Sequence, residues 1–247
     1  MTKKIRSPLE NRLSAWHGES WHTTKGRVIR DIVYAIDTGL VTTVSFLAGV
    51  SIPLVTQKRI LAAGLIQMIA GTLAIFFGSY ISTKAQKHFF ENQIEREKRE
   101  IEEMPEKETQ EIRDIFSEMG FSKEEQEVAV KRITADKERW LEFMVQEEIG
   151  ISPGLIDNPF HIGFISAASF LVGAFPAILP FFMIDRPSYA LSISAIAVLS
   201  FLFLLGIGKS KITKAHWLLS GVETLLFGML SSGAGFFLGR IVASYLH

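Results

Sequence analysis

Residues Ile60 to Ile81 read ILAAGLIQMIAGTLAIFFGSYI, 22 positions without a single charged side chain. At about 1.5 Å of rise per residue such a helix is roughly 33 Å long, enough to cross a hydrocarbon core about 30 Å thick. Directly after it the composition inverts: 19 of the chain's 26 acidic residues fall between Glu91 and Glu148. A helix apolar on all sides, joined to a dense acidic segment, is the pattern of a lipid-embedded body carrying a polar insert. A single soluble domain spreads its charge more evenly.

Four further stretches pass the same length test: Ile32–Val55, interrupted only by Asp37, then Ile162–Ile184, Tyr189–Ile207 and Trp217–Gly239. The chain therefore reads as all-α, a polytopic membrane protein with five transmembrane helices and a cytoplasmic helical insert between helices two and three. Its parts are an N-terminal tail (1–30), helices one and two (31–85), the insert (86–152) and helices three to five (160–247). The tail is hydrophilic, so no cleavable signal peptide is expected. Its Trp16, His17, Trp21 and His22 read as interfacial aromatics and incidental histidines.

Orientation follows from the basic flanks. Lys25, Arg27 and Arg30 precede helix one, Lys84 and Lys87 follow helix two, and Lys209, Lys211 and Lys214 separate helices four and five. The opposite side offers Lys58 and Arg59 in one loop and Arg186 in the other. The positive-inside rule puts the N-terminus and the insert in the cytoplasm and His247 outside.

The insert is punctuated as helices. Helix two has no breaker before about Met104. Pro105 suits the first turn of a new helix ending at Met119, with Gly120 as its cap. Ser122 and Glu125 have capping-box spacing. A last piece runs from about Asp136 to Ile149 and stops at Gly150; Pro153, Gly154 and Pro159 form a linker.

Several function classes drop out. Zero net charge with no basic stripe gives no nucleic-acid partner. The absence of cysteine removes disulfides and thiolate chemistry. There is no G-x-S-x-G, no H-E-x-x-H and no G-x-x-x-x-G-K-[ST], so neither a familiar enzyme nor an ATP-driven pump is indicated.

What remains is carboxylate chemistry. Glu100 and Glu103 share a helix face, as do Glu111 and Asp114, and Met144 lies four residues before Glu148. Packed together, these helices offer five carboxylates and a thioether, a donor set suited to a first-row divalent metal. The alternative is a solvated charged surface, which the ten Lys and Arg of the same segment favour. Within the membrane, Asp37 and Glu223 are carboxylates on separate helices, as a cation or proton path requires; Asp37 could instead cap a helix break near Gly39. Gly235 and Gly239 form a G-x-x-x-G with Ser231 one turn earlier, a face for close helix packing.

The order of these parts, and several strings, resemble the vacuolar iron transporter (VIT) family. The strings are Arg30-Asp31-Ile32-Val33 with Gly39-Leu40-Val41-Thr42-Thr43, Gly78-Ser79-Tyr80-Ile81-Ser82, Trp140-Leu141-Glu142-Phe143-Met144 through Glu148-Ile149-Gly150, and Gly173 with Pro176 and Pro180. The resemblance implies a homodimeric carrier of Fe(II) or Mn(II) that exchanges metal for protons. It places the insert's ligands at Glu100, Glu103, Glu111, Asp114, Met144 and Glu148. It aligns Thr38, not Asp37, with the family's membrane Asp, and puts Ala74-Ile75 and Ser79 where the family has Ser-Met and Glu. A path along Asp37, Thr38, Thr42, Ser79 and Glu223 is the expectation, with metal exported from the cytoplasm by proton antiport. The alternative is a membrane protein that binds or senses metal without moving it. No cofactor is expected beyond Fe2+ or Mn2+ as the ion itself, and the partners are that ion, the lipid bilayer and a second copy of the chain.

Overall fold

A computed structural model describes residues 24–52, 56–150 and 157–246. The tail with Trp16, His17, Trp21 and His22, the linker residues Pro153 and Gly154, and His247 lie outside them. Eight helices and no strands occur among the described residues: α1 (Thr24–Val50), α2 (Gln57–Glu103), α3 (Pro105–Glu118), α4 (Lys123–Ile133), α5 (Lys137–Glu147), α6 (Pro159–Met183), α7 (Pro187–Thr213) and α8 (Trp217–Leu246). Five of these, α1, α2, α6, α7 and α8, are long and apolar enough to cross a bilayer. The expected first span reached Val55, but α1 stops at Val50, close before Pro53, whose ring disfavours helical backbone in the residue preceding it.

The chain divides into two compact units, Met1–Ile81 with Pro159–His247, and Ser82–Asn158. In the first, α1 packs against α6, α7 and α8. Its core is Leu40, Val44, Leu47, Ile178, Phe181, Val198 and Leu202, with Ile60 of α2. Outward faces carry large apolar side chains such as Ile66, Leu73, Phe77, Leu219, Leu230 and Phe237. Water would penalise that surface heavily, whereas lipid does not. Several hydroxyls within the spans are satisfied inside their own helix: Thr38 donates to the Tyr34 carbonyl and Thr42 to that of Thr38. α6 contains Pro176 and Pro180, and Ser194 of α7 donates to the Ala177 carbonyl at 2.6 Å in the turn that these prolines disturb.

Two glycine seams hold α1. Gly39 lies on the Phe170 carbonyl while Gly173 lies on that of Ile36, so α1 and α6 touch backbone to backbone. Nearer the other end, Gly235 and Gly239 of α8 pack on Ser45 and Gly49 of α1. The G-x-x-x-G face therefore meets a helix of its own chain. Replacing Gly239 by Val drives a side chain into the Gly49 backbone; a loss of about 2 kcal/mol or more is expected from overpacking. Gly233 faces open space, so Gly233→Ala is the matched control. Melting temperatures in detergent check the pair, and equal values for both variants contradict the seam.

The second unit follows its punctuation closely. α2 runs without a break to Glu103, Pro105 opens α3, and Gly120 takes φ +89° beyond its end. Ser122 and Glu125 form the reciprocal capping box that opens α4, and Asp136 caps α5 by accepting from the N–H groups of Glu138 and Arg139. The helices enclose a small core of Ile101, Ile112, Val130, Trp140 and Met144. Phe116 and Phe143 stack beside it with centroids 5.6 Å apart.

Candidate metal centre and intramembrane cavity

The small core determines which carboxylates meet. Glu97 lies four residues before Ile101, Glu108 four before Ile112, and Glu148 four after Met144; Ile101, Ile112 and Met144 are all core residues. A step of four returns to the same helix face, so burying the apolar residues aligns the three acids. Their oxygens lie within 4.8 Å of one another. Glu97 is 2% exposed and Glu108 is 0% exposed. Both oxygens of Glu108, Oε1 of Glu97 and Oε2 of Glu111 are buried without a hydrogen-bond partner. Oxygens so arranged leave room for one divalent ion at the ordinary metal–oxygen distance of about 2.0–2.6 Å.

Of the residues read from the sequence, Glu148 belongs to this group. Glu100 and Glu111 flank it, each held by a basic residue one turn earlier: Arg96 Nε to Glu100 at 2.9 Å and Lys107 Nζ to Glu111 at 2.8 Å. Lys107 also reaches Glu108 at 3.6 Å. Met144 is fully buried in the apolar core, one turn before Glu148. Glu103 and Asp114 are exposed, and Asp114 accepts a hydrogen bond from Gln110. Each sits outside the four-residue step from the core, so packing does not turn it inward. Glu97 and Glu108 are the two residues that the sequence reading passed over.

Burial and like charge act together on the group. Glu97 lies some 16 residues past the apolar stretch of α2. Its carboxyl is pushed up to about 8, by desolvation first and then by the charges of Glu148 and Glu108, with which it can share a proton. Glu108 is raised by burial and by Glu111, against the opposing Lys107, and Glu148 by burial and by Glu111, Glu108 and Glu100. Between about pH 4.5 and 8 the folded chain thus holds a proton that the unfolded chain releases. The corresponding stability is present below that window and lost as pH rises through it. Without metal, the melting temperature should fall by several degrees from pH 5.5 to pH 8. Saturating Mn2+ should replace the protons and flatten the slope. A metal-free melting curve indifferent to pH contradicts this account.

In the other unit, α1, α7 and α8 border a cavity of about 540 Å³, whose polar lining is Arg30, Tyr34, Asp37, Lys209, Glu223 and Thr224. Asp37 and Glu223, read from the sequence as path residues, line this one space, and Lys209 pairs with Glu223 at 3.6 Å. Thr38 is half-buried and turned back to its own helix, Thr42 is exposed, and Ser79 is half-buried on α2. A separate buried polar contact joins α1 to α2, with Thr43 donating to Gln67 Oε1 at 3.2 Å.

Five bilayer-length helices and a separate acidic helical unit define a polytopic integral membrane protein. The VIT family model matches residues 29–240, and the chain belongs to that family. It is 28% identical to vacuolar iron transporter 1 of Arabidopsis thaliana, an alignment covering 98% of this chain and 96% of the relative. It is 29% identical to vacuolar iron transporter 2 of Oryza sativa subsp. japonica, over 90% of this chain and 91% of the relative. With the vacuolar iron transporter of Plasmodium falciparum it shares 27% identity over 92% and 86% of the two chains.

Proposed function

We propose that the chain is a divalent-metal transporter that carries Fe2+ or Mn2+ out of the cytoplasm in exchange for protons. Family membership makes it a transporter and not an enzyme, and the names of its relatives support iron as cargo. The observation that carries the reading is the convergence of Glu97, Glu108 and Glu148, two of them buried with oxygens that accept no hydrogen bond. Three acids in that state repel one another until a cation or protons neutralise them, so metal and protons compete for one site. The acidic unit collects the ion on the cytoplasmic side, a sidedness that the basic flanks support. Asp37 receives the ion within the membrane, and protonation of the carboxylates releases it. The chain acts as a homodimer.

The test is flux of Mn2+ and of Fe2+, the latter without oxygen, into proteoliposomes holding the full chain under an imposed proton gradient. Metal uptake that collapses when the gradient is dissipated supports the proposal. Metal binding without uptake supports the second reading, a membrane metal sensor. That reading is favoured by Ala74, Ile75 and Ser79, positions of α2 that carry neither a thioether nor a carboxylate.

A further inference from the structure

The cavity between α1, α7 and α8 holds two carboxylates and an ammonium from three helices, of which the transport reading uses only Asp37. Lys209 Nζ stands 3.6 Å from Glu223 Oε2, and Asp37 lines the same cavity. At 3.6 Å the contact with Glu223 is an ion pair, not a tight hydrogen bond. Arg30, the other cation of the cavity, is engaged by Asp31 on the same helix through Nε at 3.1 Å and Nη2 at 3.0 Å. Thr224 donates to the Ser220 carbonyl at 2.9 Å, and Tyr34 completes the polar lining. A lysine is a compact charge on a flexible four-carbon stem. Facing two carboxylates, it can shift its weight from one to the other.

We propose that Lys209 is a tethered counter-ion that alternates between Asp37 and Glu223. With no cargo its charge is shared across the cavity, held at 3.6 Å by Glu223 and facing Asp37. When a divalent cation reaches Asp37, the ammonium is repelled and moves fully onto Glu223. When the cation leaves, Lys209 returns. Lys209 is thus a positioning residue: its repulsion keeps the ion from binding too tightly, and Glu223 gives the displaced charge a partner. The inference rests on the carrier reading with Asp37 in the path.

Mn2+ flux into proteoliposomes, measured against concentration, separates this role from a structural one. In Lys209→Gln the repulsion is gone, so KM and kcat should both fall, kcat on the order of tenfold, as tighter ground-state binding slows release. Lys209→Arg keeps the charge and should restore most of kcat. Glu223→Gln leaves the ammonium with Asp37 alone and should raise KM. Unchanged constants in Lys209→Gln, or an arginine variant as impaired as the glutamine one, overturn the inference. If Lys209→Gln does not fold, Glu223→Gln decides, an unaltered KM counting against. A wild-type chain that carries no metal ends the carrier reading and this inference together; a competent wild type with an indifferent Lys209→Gln ends the inference alone.

Discussion

Asp37→Asn is expected to reduce Mn2+ and Fe2+ flux to background, while the protein melts normally and still binds metal at the acidic unit. Asparagine keeps the size of aspartate and can form hydrogen bonds, but it carries no charge to attract a dication. An ionised carboxylate within a span costs at least about 2.5 kcal/mol to insert. Loss of the charge at this step is expected to slow transport roughly a hundredfold, about 2.7 kcal/mol. Folding should be spared, because Asp37 lines a cavity and the backbone seam of α1 is made by Gly39 and Gly49. Thr38 offers no substitute charge, since its hydroxyl is committed to the Tyr34 carbonyl. Flux assays beside a metal titration of the same preparation decide the matter. Wild-type flux in the variant removes Asp37 from the route.

The second large effect is expected at the candidate metal centre. Glu97→Gln or Glu108→Gln should weaken Mn2+ binding roughly a hundredfold or more, beyond what loss of a supporting outer residue costs. The same variants should stabilise the metal-free protein at pH 8, because a neutral amide replaces a carboxylate buried among like charges. Opposite signs for affinity and stability are characteristic of a site strained by its own charge. Glu103→Gln and Asp114→Asn, both at exposed positions, should alter neither property. Titration calorimetry and melting curves on the four proteins provide the comparison. Weak binding in the exposed pair with full binding in the buried pair places the ion elsewhere.

That comparison also marks where the sequence became ambiguous. Acidic residues separated by three, eight and three positions occur at Glu100, Glu103, Glu111 and Asp114, and again one turn earlier at Glu97, Glu100, Glu108 and Glu111. Spacing within a helix is the same for both sets. Only the apolar partners at Ile101, Ile112 and Met144 distinguish them, and identifying those as core requires the packing of α2, α3 and α5. Counting four residues from each apolar position would have selected Glu97 and Glu108. The bilayer-length helices and the caps were legible because each depends on local chemistry: an uncharged run, a proline at a first turn, a serine three residues before a glutamate. The cavity partner Lys209 was not. In the sequence it is one of three lysines between two spans, and only the approach of α7 to α1 and α8 gives it Asp37 and Glu223 as neighbours.

Because α2, α3 and α5 supply both most of the apolar centre and the acidic cluster, binding of an ion there and order of the unit would form a single equilibrium. Where the ion is scarce and the pH neutral, the unit would be at its least secure, and proteolysis would remove such molecules first. Abundance of the carrier would then follow supply of its cargo with no dedicated sensor, a coupling whose strength is the melting difference between metal-free and Mn2+-saturated protein.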